Sequence, residues 1–262
     1  MPLVYVAQTI DDIFQFATEI PDFFIVGKGS NTVIDPATCQ SPILQLSPTL
    51  FAPEVSKTSL RVGAGVRVHD LMHLLQTHGL SGLEFSAGVP ASIGGMIAMN
   101  FGCWGKEISH YVRDVRIVDE DGKERWITGS ELDFGYRTSR FHHEKWIILE
   151  AIFSLDAEDP AVIKHRIATA ISTRLGNQPL RDKTFGSVFK NPEGTTAGHL
   201  LDIYGLKGYE KNGVKFSEKH ANFMVNLGDA TIESCKELID IASTHIHAKT
   251  GISLELEVRF LP

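Results

Sequence analysis

The sequence predicts an α+β fold in two domains, the first over residues 1–155 as two α+β lobes and a smaller α+β domain over residues 156–262. Three observations predict it. Strand and helix periods interleave at the start of the chain, a glycine-rich tract with no sustained period lies between 82 and 105, and the composition shifts at an acidic, proline-containing turn near residue 156.

In chain order, LVYVA is rich in strand formers, and TIDDIFQFATEI opens on a Thr cap and spaces Ile10, Phe14 and Ala17 at helical intervals. FFIVG then returns to strand, which gives a βαβ-like unit over 3–34. A second such unit runs from SLRVGAGV, a strand ending in glycines, into HDLMHLLQTHG, a helix with a Gly stop. The stretch 82–105 holds six glycines among small residues, the backbone of a segment built for close approach. VRDVRIVDEDGKERWIT predicts a hairpin turning at Asp121-Gly122, and WIILEAIFSL a further apolar strand. DAEDPAVIKHRIATAISTRLG then opens the second domain with a turn and an amphipathic helix, and ISLELEVRF closes the chain as an alternating strand.

Composition narrows the function classes. A formal net charge of -7 over 262 residues provides no basic field to hold nucleic acid or an anionic membrane, so the expected partner is a small molecule. The N-terminus lacks a basic n-region, and no window reaches the apolar length of a membrane span. Cys39, Cys103 and Cys235 are odd in number and widely spaced, which fits a reducing cytosol. The expectation is a cytoplasmic monomer. His69 and His73, and His245 and His247, lack a companion Cys or carboxylate at metal-binding spacing, so no metal is expected.

Val26-Gly27-Lys28-Gly29-Ser30-Asn31 follows a strand and combines two glycines, a cation and two short polar side chains. That pattern suits a turn whose amides cradle a pyrophosphate, although the third Gly of a dinucleotide fingerprint is absent and a plain tight turn reads it as well. Gly63-Ala64-Gly65 is a weaker candidate. Gly88-Val89-Pro90-Ala91-Ser92-Ile93-Gly94-Gly95, followed by Met99-Asn100, would give a dinucleotide a second backbone clamp.

Together these segments resemble the FAD-binding half of the MurB family, whose G-x-G-S-N turn and G-[IV]-P-[GA]-[ST]-[IV]-G-G segment they match in order and spacing. Three further strings agree: Gly135-Tyr136-Arg137-Thr138-Ser139-Arg140-Phe141, Gly186-Ser187-Val188-Phe189-Lys190-Asn191-Pro192 and Leu254-Glu255-Leu256-Glu257-Val258-Arg259-Phe260. Ser217-Glu218-Lys219-His220-Ala221-Asn222-Phe223 is similar to the family's S-x-x-H-[AC]-N-F segment, so the resemblance spans nearly the whole chain.

The resemblance implies an FAD-binding domain of the MurB/flavin-oxidase (PCMH-like) type followed by a substrate-binding domain. It also implies FAD as cofactor, NADPH as hydride-donating co-substrate, and a UDP-sugar, UDP-N-acetylglucosamine enolpyruvate, as substrate. The cofactor residues would be Gly27, Lys28, Gly29, Ser30, Asn31, Gly88, Val89, Pro90, Ser92, Ile93, Gly94, Gly95 and Asn100. Arg137 and Glu257 would stand where charge develops beside the substrate carboxylate, with Ser187 as proton donor, while Lys190, Asn191, His220 and Asn222 would meet or support the substrate. Glu255, two residues from Glu257, shares its face in a regular strand and competes for the acid role.

Departures from the family are also legible. The chain begins directly at the first strand without the family's N-T-[FL]-x-[IV]-G-G-like string, and Phe101-Gly102-Cys103-Trp104-Gly105 replaces N-A-G-A-Y-G. No insertion between Arg137 and Ser187 is long enough for a substrate-covering tyrosine loop. The chain thus resembles the shorter type, in which Lys190, Lys207 and Arg174 are the cations available to a diphosphate. An oxidase on the same scaffold and a non-catalytic nucleotide-binding homologue are the competing readings.

Overall fold

The computed structural model describes residues 2–261, which fall into two compact units. One contains Pro2–Lys28 and Gln40–Ser172; the other contains Gly29–Cys39 and the chain from Thr173 onward. This division differs from the expected boundary at 155/156 in two ways. Gly29–Cys39 belongs with the C-terminal residues because its strand Thr32–Ile34 pairs in parallel with Arg259–Leu261. The helix Pro160–Asn177, expected to open the second domain, begins in the first unit because Ile163 and Ala170 are buried in that unit's core.

In the larger unit, the strand Ile43–Leu46 lies between Val4–Ala7 and Phe24–Ile25, parallel to both. The connecting helix Ile10–Glu19 starts at Thr9 as the sequence predicts. The Thr9 hydroxyl accepts the Asp12 amide while the Asp12 carboxylate accepts the Thr9 amide, satisfying two otherwise unpaired donors. A five-stranded antiparallel sheet follows, with Ile147–Ser154 beside both Ser59–Gly63 and Val112–Val118, and Glu54–Ser56 and Glu124–Thr128 at its edges. The predicted hairpin pairs Val112–Val118 with Glu124–Thr128. The helix Val68–His78 ends at left-handed Gly79, and its Leu71 and Leu75 join Leu60, Val62 and Phe153 in the core.

The smaller unit is a four-stranded antiparallel sheet in the order Thr184–Ser187, Phe223–Asn226, Val214–Phe216, Glu210–Lys211. The helices Ala197–Ile203 and Ile232–Thr250 contribute Leu200, Leu201, Leu238, Ile239 and Ile246 to its core, which also holds Phe216 and Met224. The closing segment is less regular than its alternating sequence suggests. It is a strand only over Arg259–Leu261, with an isolated bridge from Leu256 to Phe189. Its backbone changes partner: the Glu257 amide bonds the Val188 carbonyl, whereas the Arg259 amide bonds the Asn31 carbonyl, which breaks a continuous ladder at Val258. No helix among the described residues is long and apolar enough to cross a membrane.

Leu238 is fully buried among these helices. Leu238→Ala should lower unfolding stability by about 3 kcal/mol, the usual cost of truncating a core leucine. Urea titration measures this, and a loss below about 1 kcal/mol would show that the site collapses around the cavity.

Candidate active site

The glycine-rich segments of the larger unit meet at one place. Gly27 lies so close to Ser92 that a Cβ there would strike the Ser92 hydroxyl, so only glycine permits the approach. Gly27, Lys28 and Gly88 are exposed, leaving main chain of both segments open to solvent. Adjoining turns with exposed backbone are what a dinucleotide pyrophosphate requires, so these residues fit FAD. Beyond exposed Pro90, groups of the second segment are occupied internally. Ser92 caps the helix Ile93–Ala98, the Ile93 and Gly94 amides donate to the Val66 and Ala64 carbonyls, and the Ile93 side chain fills the core. Ile93 and Gly94 therefore shape the segment rather than present donors from it.

Arg137 occupies a corner of a tight turn. Gly135 and Thr138 exchange two backbone hydrogen bonds, at 3.0 and 3.2 Å, leaving Tyr136 and Arg137 between them. Arg137 has φ 56°, the left-handed region that glycine normally fills at such a position. Its Nη2 donates to the Gly102 carbonyl at 2.6 Å, and its guanidinium lies 5.1 Å from the centre of the Tyr136 ring. Ser139, also in this segment, donates from its buried hydroxyl to the Ala98 carbonyl at 2.7 Å. His142 is similarly engaged, with Thr138 Oγ1 at 3.0 Å and Met99 Sδ at 3.3 Å.

In the smaller unit, Ser187 and Glu257 come together along the backbone. Ser187 ends the strand Thr184–Ser187, whose pairing with Phe223–Asn226 shifts register between Thr184 and Ser187. Gly186, at φ 87°, takes up that irregularity and packs against the Ser30 carbonyl, where a Cβ would stand at 3.3 Å. A bulge of this kind redirects the next side chain, here Ser187. Beside it, the Glu257 amide donates to Val188 and the Asn31 side-chain amide donates 2.9 Å to the Glu257 carbonyl. Thus Ser30, Asn31, Ser187 and Glu257 are neighbours. Glu257 is half-buried, whereas Glu255 is 75% exposed in its side chain and pairs with Lys190 at 3.4 Å.

The residues expected to meet substrate divide between surface and interior. Lys190 is partly exposed, and Asn191 is exposed with its Oδ1 accepting the Ala197 amide at 3.1 Å. Asn222 is buried: its Oδ1 accepts from the Phe189 amide at 3.0 Å and its Nδ2 donates to the Phe189 carbonyl at 2.8 Å. It braces the segment after Ser187 from within the core. His220 Nδ1 accepts the Asn222 amide at 3.3 Å, and its ring meets Phe223 edge-on at 4.8 Å. Burial, and secondarily the charge of Lys207, hold the His220 pKa below the ordinary histidine value. Arg174 is buried, whereas Lys207 is exposed and bonds Asp202 at 2.7 Å. The buried roles of Asn100 and Asn222 and the left-handed Arg137 escaped sequence reasoning; the Gly preceding Ser187 was the one available signal of a redirected side chain.

Residues 6–128 match the FAD binding domain model, and residues 178–261 match the C-terminal domain of UDP-N-acetylenolpyruvoylglucosamine reductase. The fold and these matches define the class as an FAD-binding oxidoreductase. The UDP-N-acetylenolpyruvoylglucosamine reductase of Halalkalibacterium halodurans is 38% identical over 237 residues, covering 90% of this chain and 79% of that protein. That of Chlamydia abortus is 37% identical over 262 residues, covering 99% and 87%. The crystal structure of MurB from Thermus caldophilus, 30% identical, superposes with a TM-score of 0.85 over 99% of this chain and 92% of that one. The chain belongs to the UDP-N-acetylenolpyruvoylglucosamine reductase family, MurB.

Two predictions follow from this geometry. Arg137→Gly and Arg137→Ala both delete the guanidinium, but only glycine accepts the left-handed backbone freely. The glycine variant should be the more stable by about 1 kcal/mol in thermal or urea unfolding, and equal stability would mean the turn relaxes. For His220, a lowered folded pKa means that the unfolded chain gains the proton first as pH falls. Its contribution to stability is therefore complete above the unfolded value and declines as pH drops through it toward the folded one. His220→Gln should flatten the fall in urea midpoint between neutral pH and about pH 5; an unchanged slope would assign the fall to other groups.

Proposed function

We propose that this chain reduces UDP-N-acetylglucosamine enolpyruvate to UDP-N-acetylmuramate for peptidoglycan synthesis, with FAD as resident cofactor and NADPH as co-substrate, and that it works as a cytoplasmic monomer. The observation that supports the reading most is the grouping of Ser187 and Glu257 beside Asn31 of the pyrophosphate turn, in a chain that also retains Arg137. FAD, when bound and reduced by NADPH, would supply the hydride for the enolpyruvyl double bond.

The chain's own residues must then handle charge and a proton. Hydride addition to one carbon drives negative charge toward the substrate carboxylate, where the Arg137 guanidinium offers a planar fork of donors. Glu257 adds a donor to the same charge, a role that requires its acid form. Ser187 delivers its hydroxyl proton to the adjacent carbon. A hydroxyl is a weak acid, so this succeeds only with a strongly basic carbon and a side chain held at hydrogen-bond distance, a demand that the Gly186 bulge and the Asn222 brace serve. Lys190 and Lys207 are the cations we assign to the diphosphate; Arg174, buried, is set aside.

The test is an anaerobic absorbance experiment on the purified flavoprotein. NADPH should bleach the flavin band, and the enolpyruvyl substrate should restore it. Ser187→Ala should spare bleaching and slow recovery by about 10³-fold, within the range for loss of a positioned proton donor. Flavin that NADPH reduces but this substrate does not reoxidise would overturn the substrate assignment, and undiminished recovery in Ser187→Ala would remove Ser187 from its role.

A further inference from the structure

We infer that Asn100 is a positioning residue for Arg137. This rests on the reading above, in which Arg137 meets the substrate carboxylate. Asn100 stands just beyond the helix Ile93–Ala98, buried and itself left-handed at φ 41°. Its Nδ2 donates to the Gly135 carbonyl at 2.9 Å and to Glu107 Oε2 at 3.0 Å, while its Oδ1 accepts the Ser109 amide at 3.3 Å. Both amide hydrogens and the oxygen are therefore engaged by protein. A flavin contact, the role its place in the sequence suggests, is not what this side chain is built for.

What these bonds hold is the seating of Arg137. Gly135 begins the tight turn that carries Arg137 at its corner. Glu107 lies directly opposite Gly102 in the antiparallel pair Gly102–Cys103 and Lys106–Glu107, and the Gly102 carbonyl is the acceptor for Arg137 Nη2. One amide group thus fixes both the backbone that launches the arginine and the hairpin that receives its guanidinium. The left-handed backbone of Arg137 needs such over-determination, because it is disfavoured for any residue with a Cβ.

The chemistry of the site singles out asparagine. Aspartate has the same shape, but its carboxylate would face the Gly135 carbonyl and the Glu107 carboxylate with no hydrogen to offer either. Asn100→Asp therefore converts two attractive contacts into repulsive ones without opening a cavity.

The experiment compares Asn100→Asp, Arg137→Ala and the double variant as full-length flavoproteins, following the two half-reactions separately. Asn100→Asp should retain flavin and its reduction by NADPH while slowing reoxidation by the enolpyruvyl substrate about 10²-fold, as a small misplacement of a catalytic group does. The double variant should be no slower than Arg137→Ala alone, because a misplaced arginine has nothing further to lose once removed. Losses that multiply, or a defect in flavin retention or NADPH reduction in place of reoxidation, would overturn the inference. Should Asn100→Asp not fold, Glu107→Ala removes one anchor of the same amide and should slow reoxidation about tenfold, again with no added effect on Arg137→Ala. Normal reoxidation in Arg137→Ala alone would instead remove Arg137 from the carboxylate, and this inference would fall with it.

Discussion

The hydrogen bond from Asn31 to the Glu257 carbonyl joins positions 226 residues apart, and much of the smaller unit's organisation depends on it. Together with the Arg259 amide on the Asn31 carbonyl and the parallel pairing of Thr32–Ile34 with Arg259–Leu261, it draws a segment from early in the chain into the C-terminal fold. Energetically these bonds are minor. Each contributes about 1 kcal/mol net, while fixing the backbone costs about 1–2 kcal/mol per residue. Burial of Val258, worth about 2 kcal/mol, and packing of Leu254 and Phe260 on the core must hold the segment down. The polar bonds decide register. A slip of one residue would carry Glu257 away from Ser187 and reverse its facing.

Two backbone irregularities then set Ser187 and Arg137, the side chains we propose as reactive, and they differ in cost. Gly186 reaches φ 87° without penalty because it has no Cβ, so the bulge before Ser187 needs little support. Arg137 adopts φ 56° against a cost of about 1–2 kcal/mol. Its surroundings are correspondingly dense, with reciprocal Gly135–Thr138 bonds, the Gly102 carbonyl under Nη2 and Ser139 tied to Ala98. The helix Ile93–Ala98 is central to that support. Its start adjoins the glycine segment near Gly27, and the residues at its end brace the arginine turn, so one short element serves both parts of the larger unit.

How far this was legible in the sequence depended on range. The Thr9 cap, the Gly79 stop and the Asp121-Gly122 hairpin are written in local residues, and all appear. The family strings were enough to identify the family. Partner choice was not legible: ISLELEVRF has a strand's alternation, but its hydrogen bonds pass from Val188 to Asn31 midway, which no periodicity reveals. The division of the chain was not legible for a related reason, since the pairing of Thr32–Ile34 with the C-terminus and the packing of Ile163 and Ala170 in the larger unit's core are properties of the folded chain. Motif membership also does not separate a residue that touches a ligand from one that holds the motif together, as Ile93, Asn100 and Asn222 illustrate.

Asn100 and Asn222 share a physical logic. Each is buried, and each uses both ends of its amide on nearby groups, Asn222 on both polar groups of the Phe189 backbone and Asn100 on three separate positions. A buried side chain that is fully satisfied stiffens its neighbours, whereas the same group half-satisfied would cost about 1–3 kcal/mol. Such amides are therefore effective braces for segments that regular pairing leaves unsupported. Glu257 shows what the bracing achieves. In an uninterrupted strand it would match Glu255, two residues away on the same face, yet Glu255 stands in solvent with Lys190 while Glu257 is half-buried beside Ser187 and Asn31. Both acids lie along the same backbone, with the Lys190 amide on the Glu255 carbonyl and the Glu257 amide on Val188, and what separates them is the Asn31 side chain on the Glu257 carbonyl, which reaches it from 226 residues away.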